Sequence, residues 1–423
     1  MMYFQAGSET SQFSTEDVKN AVFSALDKLG PRNKVLVVPP DITRFHSGSG
    51  AITTYIYEYY QDKLTDILPA LGTHAPMTVE EMDKMFPGIP KELFRVHDWR
   101  NDVVTVGTIP GEKVKEITSG LVDDPWPAQL NKLVWQGGHD LILSVGQVVP
   151  HEVIGMANYN KNLFVGTGGS EGINQSHFVG AAYGIENILG RANNPVRDLL
   201  NYASDHFTQN LPIVYIHTVV GRDAEGKLVT RGLFIGDTRE VFTTAADLSL
   251  NVNFNLLDQP LKKVIVYLDP SEFRTTWLGN KSVYRTRMAM ADGGELIVLA
   301  PGLKEFGEDK EIDRLIRKYG YRGTPRTLKA LEENKDLRDN LSAAAHLIQA
   351  SSEDRFDIIY CPGEVSQSEI EGVNYKYADL KEMLAKYNPH ELKEGFNTLP
   401  DGEEIYFISN PATGLWAYKG RFK

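Results

Sequence analysis

Residues 34–72 read KVLVVPPDITRFHSGSGAITTYIYEYYQDKLTDILPALG. The first apolar run ends at Val38 before a Pro-Pro loop, a stretch of helical length begins at Ala51, and a second apolar run ends near Leu68. A strand, a helix and a second strand in this order are typical of a βαβ unit, whose two strands are parallel. The stretch therefore predicts an α/β fold.

The same alternation continues along the chain. Short β-branched runs predict further strands in DVVTVGTIP, HDLILSVGQVVPH, KNLFVGTGG and LPIVYIHTVV. A long helix is expected in REVFTTAADLSLNVNFNLL, and Thr78 with Glu81 forms a capping-box pattern that begins another. These patterns predict mostly parallel sheets covered by helices.

A polar stretch at 258–263 separates two such regions. After it, the strand VIVYLDP, a helix through RTRMAMA, the Gly293-Gly294 pair and the strand ELIVLAPG start a second alternation. We predict an N-terminal α/β domain at 1–258 and a smaller C-terminal α/β domain at 262–400, with the active site in the cleft between them. A tail at 401–423 carries apolar groups that could pack back on the first domain.

Composition excludes several classes of function. The chain has 44 Lys and Arg against 56 Asp and Glu, a formal net charge of −12, which repels nucleic acids and anionic membranes. A single cysteine, Cys361, excludes an internal disulfide and cysteine-based zinc or iron–sulfur sites. The polar N-terminus and the lack of any apolar run near ~20 residues predict a cytoplasmic protein without a signal peptide or membrane helix.

Polar residues follow the predicted strands of the first domain, where open α/β sheets bind their ligands. Asp41 and Arg44 follow the first strand, where they could pair with each other or Arg44 could bind a carboxylate or phosphate. His74 follows the second strand in Gly-Thr-His, a position more typical of a hydrogen-bonded loop histidine. His97 lies beside Asp98, which could fix its tautomer, although a lone histidine there is more often structural.

The densest group lies at 150–177. It contains His151, Lys161, the glycine-rich Gly166-Thr167-Gly168-Gly169 and His177. The glycine-rich loop could bind a phosphate through backbone N–H groups, although it is neither a Walker A motif nor a complete G-x-G-x-x-G. A lysine among neutral polar residues can act as a nucleophile if its pKa is lowered, but most such lysines face solvent.

The second domain offers a cluster of cations. Lys281, Arg285 and Arg287 lie within seven positions, where they could bind a substrate carboxylate or form a solvated basic face.

This order of groups resembles the LarA-type lactate racemase family, whose members carry a nickel-pincer nucleotide. The resemblance rests on D-x-x-R at 41–44, G-T-H at 72–74, H-D at 97–98 and, most specifically, on Pro-His151 followed by Lys161 and His177 at fixed spacing. It implies an isomerase, either a racemase or a 2-epimerase of an α-hydroxy acid, that works by reversible hydride transfer.

The resemblance also implies roles for individual residues. The cofactor would be pyridinium-3,5-bisthiocarboxylic acid mononucleotide nickel, covalently bound to Lys161, supplied by cofactor-biosynthesis enzymes, with His177 as the protein's nickel ligand. His97 and His151 would be the acid/base pair. The cofactor-binding residues would further include Asp41, Arg44, Gly166, Thr167, Gly168 and Gly169, with Arg44 facing either the cofactor or the substrate carboxylate.

Two departures from the family pattern concern the substrate. Ala75 stands where the family has an arginine after G-T-H, and Met288 stands at a family lysine position. Lys281, Arg285 or Arg287 could replace the lost cation. The changes argue against lactate and favour another 2-hydroxy acid, such as a sugar acid.

Two other functions remain open on sequence. One is a divalent-metal sugar-acid isomerase or hydrolase with His97, His151 and His177 as ligands. The other is a non-catalytic protein that binds an anionic metabolite.

Overall fold

The computed structural model describes residues 1–223 and 225–421, which form two compact units. Unit 1 comprises Met1–Val179 and Ile188–Asn253, and unit 2 comprises Gly180–Asn187 and Phe254–Lys423. Unit 1 thus ends before the predicted residue 258. The short segment at 180–187 belongs to unit 2, which no sequence pattern indicates.

Unit 1 contains both parallel and antiparallel strands. They are β1 Met2–Gly7, β2 Val35–Val38, β3 Leu64–Ile67, β4 Val103–Ile109, β5 Trp126–Asn131, β6 Leu141–Gln147, β7 Pro150–His151, β8 Gly155–Met156, β9 Ile213–Arg222 and β10 Leu228–Gly236. The main sheet has the order β1-β10-β9-β6-β2-β3, in which β9, β6, β2 and β3 are parallel and β1, β10 and β9 antiparallel.

Helices connect the strands of this part of the chain. They are α1 Thr15–Leu29, α2 Ser49–Tyr60, α3 Val79–Met85, α4 Gly111–Ile117, α5 Lys132–Gln136, α6 Asn160–Phe164, α7 Ser170–Ala182, α8 Ile185–Ile188, α9 Pro195–Phe207 and α10 Arg239–Asn253, with 3-10 helices at Ile42–Ser47, Gln61–Lys63 and Lys91–Leu93. The last residues of α7 and most of α8 count with unit 2.

The core explains why the opening stretch of sequence folds as a βαβ unit. All four residues of β2 are fully buried, because the strand has neighbours on both sides and helices over it. Val22 and Leu26 of α1 and Ile56 of α2 pack in the same cluster as Val35 and Val37. The capping box predicted at Thr78 is present at the start of α3.

Two predictions of secondary structure in unit 1 are wrong. The run KNLFVGTGG, predicted as a strand, forms α6 and the turn that follows it. A short apolar run suits a buried helix as well as a buried strand, and here Leu163 and Phe164 are buried from a helix. The helix predicted to reach residue 257 ends at Asn253, and Phe254–Leu257 is a strand.

Unit 2 has its own mostly parallel sheet. Its strands are β11 Phe254–Leu257, β12 Leu261–Tyr267, β13 Met290–Ala300, β14 Asp357–Pro362, β15 Lys376–Tyr377, β16 Gly395–Thr398, β17 Glu404–Ile408 and β18 Leu415–Tyr418. The main sheet has the order β15-β14-β13-β12-β17-β16, and every neighbouring pair is parallel except β16 with β17. The fold class predicted from sequence, two α/β units with mostly parallel sheets, is confirmed.

Short helices connect these strands. They are α11 Thr276–Gly279, α12 Lys281–Tyr284, α13 Lys310–Tyr319, α14 Thr324–Glu333, α15 Lys335–Arg338, α16 Leu341–Gln349, α17 Gln367–Gly372 and α18 Leu380–Lys386, with a 3-10 helix at Pro411–Thr413. The helix predicted through RTRMAMA is wrong, because α12 ends at Tyr284 and β13 already begins at Met290.

The predicted tail is part of unit 2. β17 pairs with β12 inside the main sheet, and β18 pairs in parallel with β11. Its apolar residues complete the sheets of unit 2, and packing of this segment on the first domain stays a prediction. Phe422 and Lys423 lie outside the described residues.

Among the helices described here, none is both long enough and apolar enough to cross a lipid bilayer.

Candidate active site

Several predicted site residues lie at one edge of the unit 1 sheet. Strands β6, β2 and β3 are parallel neighbours, so their carboxyl ends meet at the same edge. Asp41 and Arg44 follow β2, His74 follows β3, and His151 follows β6. This is the edge at which open α/β sheets bind their ligands.

Asp41 holds His74 in one tautomer. The Asp41 carboxylate accepts a hydrogen bond from the Thr43 backbone N–H at 3.0 Å and another from Nδ1–H of His74 at 2.5 Å. Burial alone raises the pKa of this carboxyl, but the hydrogen bonds from His74 and Thr43 and the charge of Arg44 lower it overall. An ionised Asp41 leaves Nε2 of His74 with its lone pair. The His74 side chain is 54% exposed, so Nε2 can meet a ligand.

Arg44 is an unpaired cation at the same edge. It is half-buried, and its guanidinium makes no hydrogen bond or ion pair with any other described residue. Burial is the main cause of the low pKa values of His151 and Lys161, and the charge of Arg44 lowers both further. Arg44 is therefore close enough to act on both groups and is available to bind an anion.

His151 is buried as a neutral ring. The backbone N–H of Val153 donates to its Nδ1 at 3.1 Å, which assigns the ring proton to Nε2. Burial holds the pKa of His151 well below its usual value. The Glu152 carboxylate, 3.9 Å from Nδ1, opposes that shift, and the charge of Lys161 adds to it. Nε2 of His151 thus carries a proton, whereas Nε2 of His74 carries a lone pair.

Lys161 projects from a constrained turn. It is the second residue of α6 and follows Asn158 and Tyr159, whose φ angles are 67° and 60°. Burial lowers the pKa of Lys161 to about 8, helped by Arg44 and opposed by Glu152 and Asp41. Its amine has no hydrogen bond or ion pair within the described part of the chain. A lysine of this kind is partly uncharged near neutral pH and can act as a nucleophile.

His177 has the hydrogen-bond arrangement of a metal ligand. Its Nδ1–H donates to the carbonyl of Ile173, one turn back along α7, at 2.7 Å. This fixes the tautomer and leaves the Nε2 lone pair directed away from its own helix turn. Burial lowers the pKa of His177, and the charge of Lys161 lowers it further, so the ring stays neutral as a metal requires.

His97, predicted as an acid/base residue, forms hydrogen bonds within the protein through both of its ring nitrogens. The side-chain amide of Asn131 donates to Nδ1 at 3.0 Å, and Nε2–H donates to the carbonyl of Gly168 at 3.0 Å. The residue is only 3% exposed, and burial lowers its pKa. His97 thus holds the glycine-rich turn, and its proton-transfer role stays a prediction that would require one of these hydrogen bonds to open.

Most backbone N–H groups of the predicted phosphate cradle donate hydrogen bonds within the protein, and phosphate binding there stays a prediction. The backbone N–H groups of Gly166, Thr167 and Gly168 donate to the carbonyls of Lys161, Leu163 and Val165. Glycine is needed at 168 and 169 because neighbouring atoms leave no room for a side chain. A Cβ on Gly168 would lie 1.8 Å from the carbonyl oxygen of Phe164, and one on Gly169 would lie 2.2 Å from Oε1 of Gln129. Three of the four predicted amides are thus already used.

The two arginines predicted to bind substrate are buried and donate hydrogen bonds within unit 2. Arg287 donates from Nε to Glu186 at 2.7 Å and from Nη1 to the carbonyls of Ile348, Gln349 and Ser351. Arg285 is also buried and donates to the carbonyl of Gly414 at 3.1 Å. Of the three predicted cations, the half-buried Lys281 at the start of α12 is the most accessible.

A metal site built from three protein side chains is not supported. Within residues 1–223 and 225–421, no group of three His, Cys, Asp or Glu side chains is arranged to hold a metal ion. His97, one of the three ligands in that hypothesis, has both nitrogens engaged.

Sequence reasoning did not link His74 to Asp41 and missed the environment of Lys161. The pattern D-x-x-R followed by G-T-H contains both members of the Asp41–His74 pair. Nothing local, however, indicates that residues 33 positions apart are hydrogen-bonded. The engagement of His97 depends on Asn131, on a strand that the sequence does not link to it.

Comparison with known proteins gives a family match for part of the chain. Residues 15–184 match the family described as the lactate racemase N-terminal domain. No protein of curated function matches the chain in sequence.

Two solved structures share the fold over nearly the whole chain. A protein from Thermotoga maritima is 24% identical, with a TM-score of 0.81 over 99% of this chain and 100% of that one. The lactate racemase apoprotein from Thermoanaerobacterium thermosaccharolyticum is 20% identical, with a TM-score of 0.71 over 96% of this chain and 93% of that one. Residues 15–184 thus resemble the N-terminal domain of lactate racemases, and the chain as a whole has the fold of these two structures.

Proposed function

We propose that the protein is a racemase or 2-epimerase of a 2-hydroxy acid that uses a nickel-pincer nucleotide joined to Lys161. One observation carries the proposal: an unpaired, desolvated lysine lies within electrostatic reach of a neutral histidine whose Nε2 is open. Covalent attachment needs the uncharged amine, and a square-planar metal already held by a cofactor needs only one further donor.

The residues present fit this group. Lys161 would form the covalent link, and His177 would supply the protein's nickel ligand through Nε2. Arg44 would bind an anionic part, either the nucleotide phosphate or the substrate carboxylate, since no described residue neutralises it. Asp41 would act indirectly, because its hydrogen bond orients the ring of His74. When bound, the nickel-pincer nucleotide supplies an acceptor that takes hydride from the substrate and returns it.

The chain itself provides the proton chemistry. We assign the acid/base pair to His74 and His151, in place of His97 and His151. Nε2 of His74 can accept the proton of the substrate hydroxyl while Asp41 stabilises the imidazolium that forms. His151 serves the pair as a hydrogen-bond donor: its Nε2–H can stabilise the negative charge on the substrate oxygen. Because a neutral ring that lost this proton would become imidazolate, the proton taken up by His74 returns from His74 to the oxygen after the hydride has returned, whichever stereoisomer is bound.

We further propose that the substrate is larger or more polar than lactate, for example a sugar acid. Ala75 follows the acid/base candidate His74 where the family has an arginine, which removes one cation and opens space. Met288 is fully buried and cannot replace the family lysine as a carboxylate ligand. Arg44 and Lys281 are the remaining candidates for that ligand.

Retention of an isotopic label tests this function. The protein is produced together with cofactor-biosynthesis enzymes and incubated in ordinary water with a panel of 2-hydroxy acids deuterated at C2. The proposal predicts that one acid is inverted with its deuterium retained. Inversion with loss of deuterium to solvent would indicate carbanion chemistry. Ligand-dependent thermal stabilisation without inversion, in protein loaded with nickel, would indicate a binding protein.

A further inference from the structure

Arg197 on α9 is a buried arginine whose described partners include no carboxylate. It is 1% exposed, and its guanidinium packs over the ring of Phe242 at 4.3 Å. It donates to the carbonyls of Met156 and Asn158 at 2.5 and 3.3 Å and to Oδ1 of Asn160 at 2.5 Å. All three acceptors belong to the segment 156–160, immediately before Lys161.

That segment adopts an unfavourable backbone conformation. Asn158 and Tyr159 are consecutive non-glycine residues with positive φ, a conformation that persists only where the surroundings enforce it. Tyr159 is enclosed by aromatic rings, stacking on Phe242 at 5.2 Å and lying 4.5 Å from Tyr215. The turn directs the chain into α6, so its conformation determines where Lys161 projects.

Helix α9 holds the same segment through a second set of contacts. The side-chain amide of Asn160 donates to Oδ1 of Asn201 at 2.9 Å and to the hydroxyl of Ser204 at 3.2 Å. Asn160 therefore links Arg197 to the next turns of its own helix. A guanidinium has several donors in a rigid plane, which suits it to spanning three acceptors at once.

We infer that Arg197 is a positioning residue for Lys161, because it holds the left-handed turn from which the amine projects, unpaired and shielded from water. The inference rests on the proposed function in one respect, that Lys161 is the residue to which the cofactor is attached. Its consequence is that Arg197, although it is not expected to touch cofactor or substrate, controls the reactivity of the lysine.

The reactivity of Lys161 can be measured without cofactor. Competitive acylation of the full chain with acetic anhydride, followed at the Lys161 peptide by mass spectrometry, yields the pKa and rate of this amine. The charged and titratable groups that act on it are Arg44, Glu152, Asp41, Arg197, His151 and His177. In the parent protein we expect the pKa of the Lys161 amine to be about 8.

Arg197→Gln should move this titration upward, toward an ordinary lysine, because it removes a positive charge and lets water reach the turn. For a rise of one unit from about 8, acylation at pH 8 should fall roughly fivefold. Arg231→Gln is the matched control. Arg231 is a buried arginine of unit 1 that donates to the carbonyls of Ser11 and Arg222, so its loss should leave the titration of Lys161 unchanged.

A second variant covers the case in which Arg197→Gln does not fold. Arg197→Lys keeps the charge, but one ammonium cannot span the three acceptors, so amide hydrogen exchange in 156–162 should accelerate relative to the parent and to Arg231→Lys. Unchanged exchange in a folded Arg197→Lys variant, or a titration curve of Arg197→Gln that superimposes on the parent's, overturns the inference.

The two proposals fail in different ways. If Lys161 stays unmodified in cells that make the cofactor but its titration responds to Arg197→Gln, the proposed function is wrong and the positioning role stands. If the cofactor attaches normally and the titration ignores Arg197, the positioning role is wrong and the proposed function stands.

Discussion

The same substitution at two histidines, His74→Asn and His97→Asn, should have opposite effects. An asparagine amide can take the place of Nδ1–H and keep the bond to Asp41, so His74→Asn loses only the exposed Nε2. We expect its stability to stay within about 1 kcal/mol of the parent, because a half-exposed side chain that keeps its buried contact loses little. Turnover should fall by about 10²–10⁴, the contribution of one acid/base group.

His97→Asn should instead destabilise unit 1. An asparagine can still accept from Asn131, but it cannot reach the carbonyl of Gly168, which is left buried without its donor. An unpaired buried group costs about 1–3 kcal/mol, and the lost ring volume adds about 1 kcal/mol, so we expect about 2–4 kcal/mol. Turnover per folded molecule should remain within about tenfold of the parent, since no proton-transfer group is removed.

Urea unfolding and racemisation measure the two effects separately. Stability is obtained from the unfolding midpoints of cofactor-free protein, and turnover from inversion of the substrate identified by the deuterium panel. The reasoning is refuted if His97→Asn keeps full stability but loses turnover a hundredfold or more. It is equally refuted if His74→Asn turns over at a near-normal rate.

Three further predictions concern other residues. Lys161→Ala should abolish covalent attachment without loss of stability, because it removes a buried unpaired amine; a normal adduct on the variant would contradict the assignment. Asp41→Asn should lower stability at neutral pH. The pKa of Asp41 is lower in the folded state than its unfolded value of ~3.9. The Asp41 carboxylate therefore contributes its full stabilising free energy above that value, and this stabilisation is lost as the pH falls through the folded-state pKa. The difference between Asp41→Asn and the parent should thus vanish in acid, and a pH-independent difference in urea unfolding would argue against it. Arg287→Met should destabilise unit 2 by about 3–5 kcal/mol, because it leaves Glu186 and three carbonyls without their donor. Lys281→Met should raise KM; a raised KM with unchanged unfolding in Arg287→Met would favour Arg287 as the substrate ligand instead.

The parts of the fold that the sequence predicts are those set by local patterns. Val35–Val38 and Leu141–Gln147 are apolar runs bounded by turn residues, and both are buried central strands. The prediction failed where a local pattern suits two structures. The apolar residues before Gly166 do not form a strand between β6 and β9, because these two strands pair directly with each other. They lie in α6 and just after it instead.

The roles of the histidines could not be predicted, because they depend on distant partners. His74 and His97 each follow an apolar run and have polar neighbours, so the sequence offers no basis for choosing between them. The choice depends on Asp41, which holds one ring, and on Asn131 and Gly168, which occupy both nitrogens of the other. The burial of Arg287 in unit 2 likewise depends on its hydrogen bond to Glu186, about a hundred positions away in the sequence.

Intact mass and metal content of protein made alongside the cofactor-biosynthesis enzymes address the role of Lys161 most directly. The account predicts one nickel per chain and a mass increase that peptide mapping places on Lys161, with both lost in Lys161→Ala and nickel alone weakened in His177→Ala. An unmodified Lys161 in protein from cells shown to make the cofactor would contradict it.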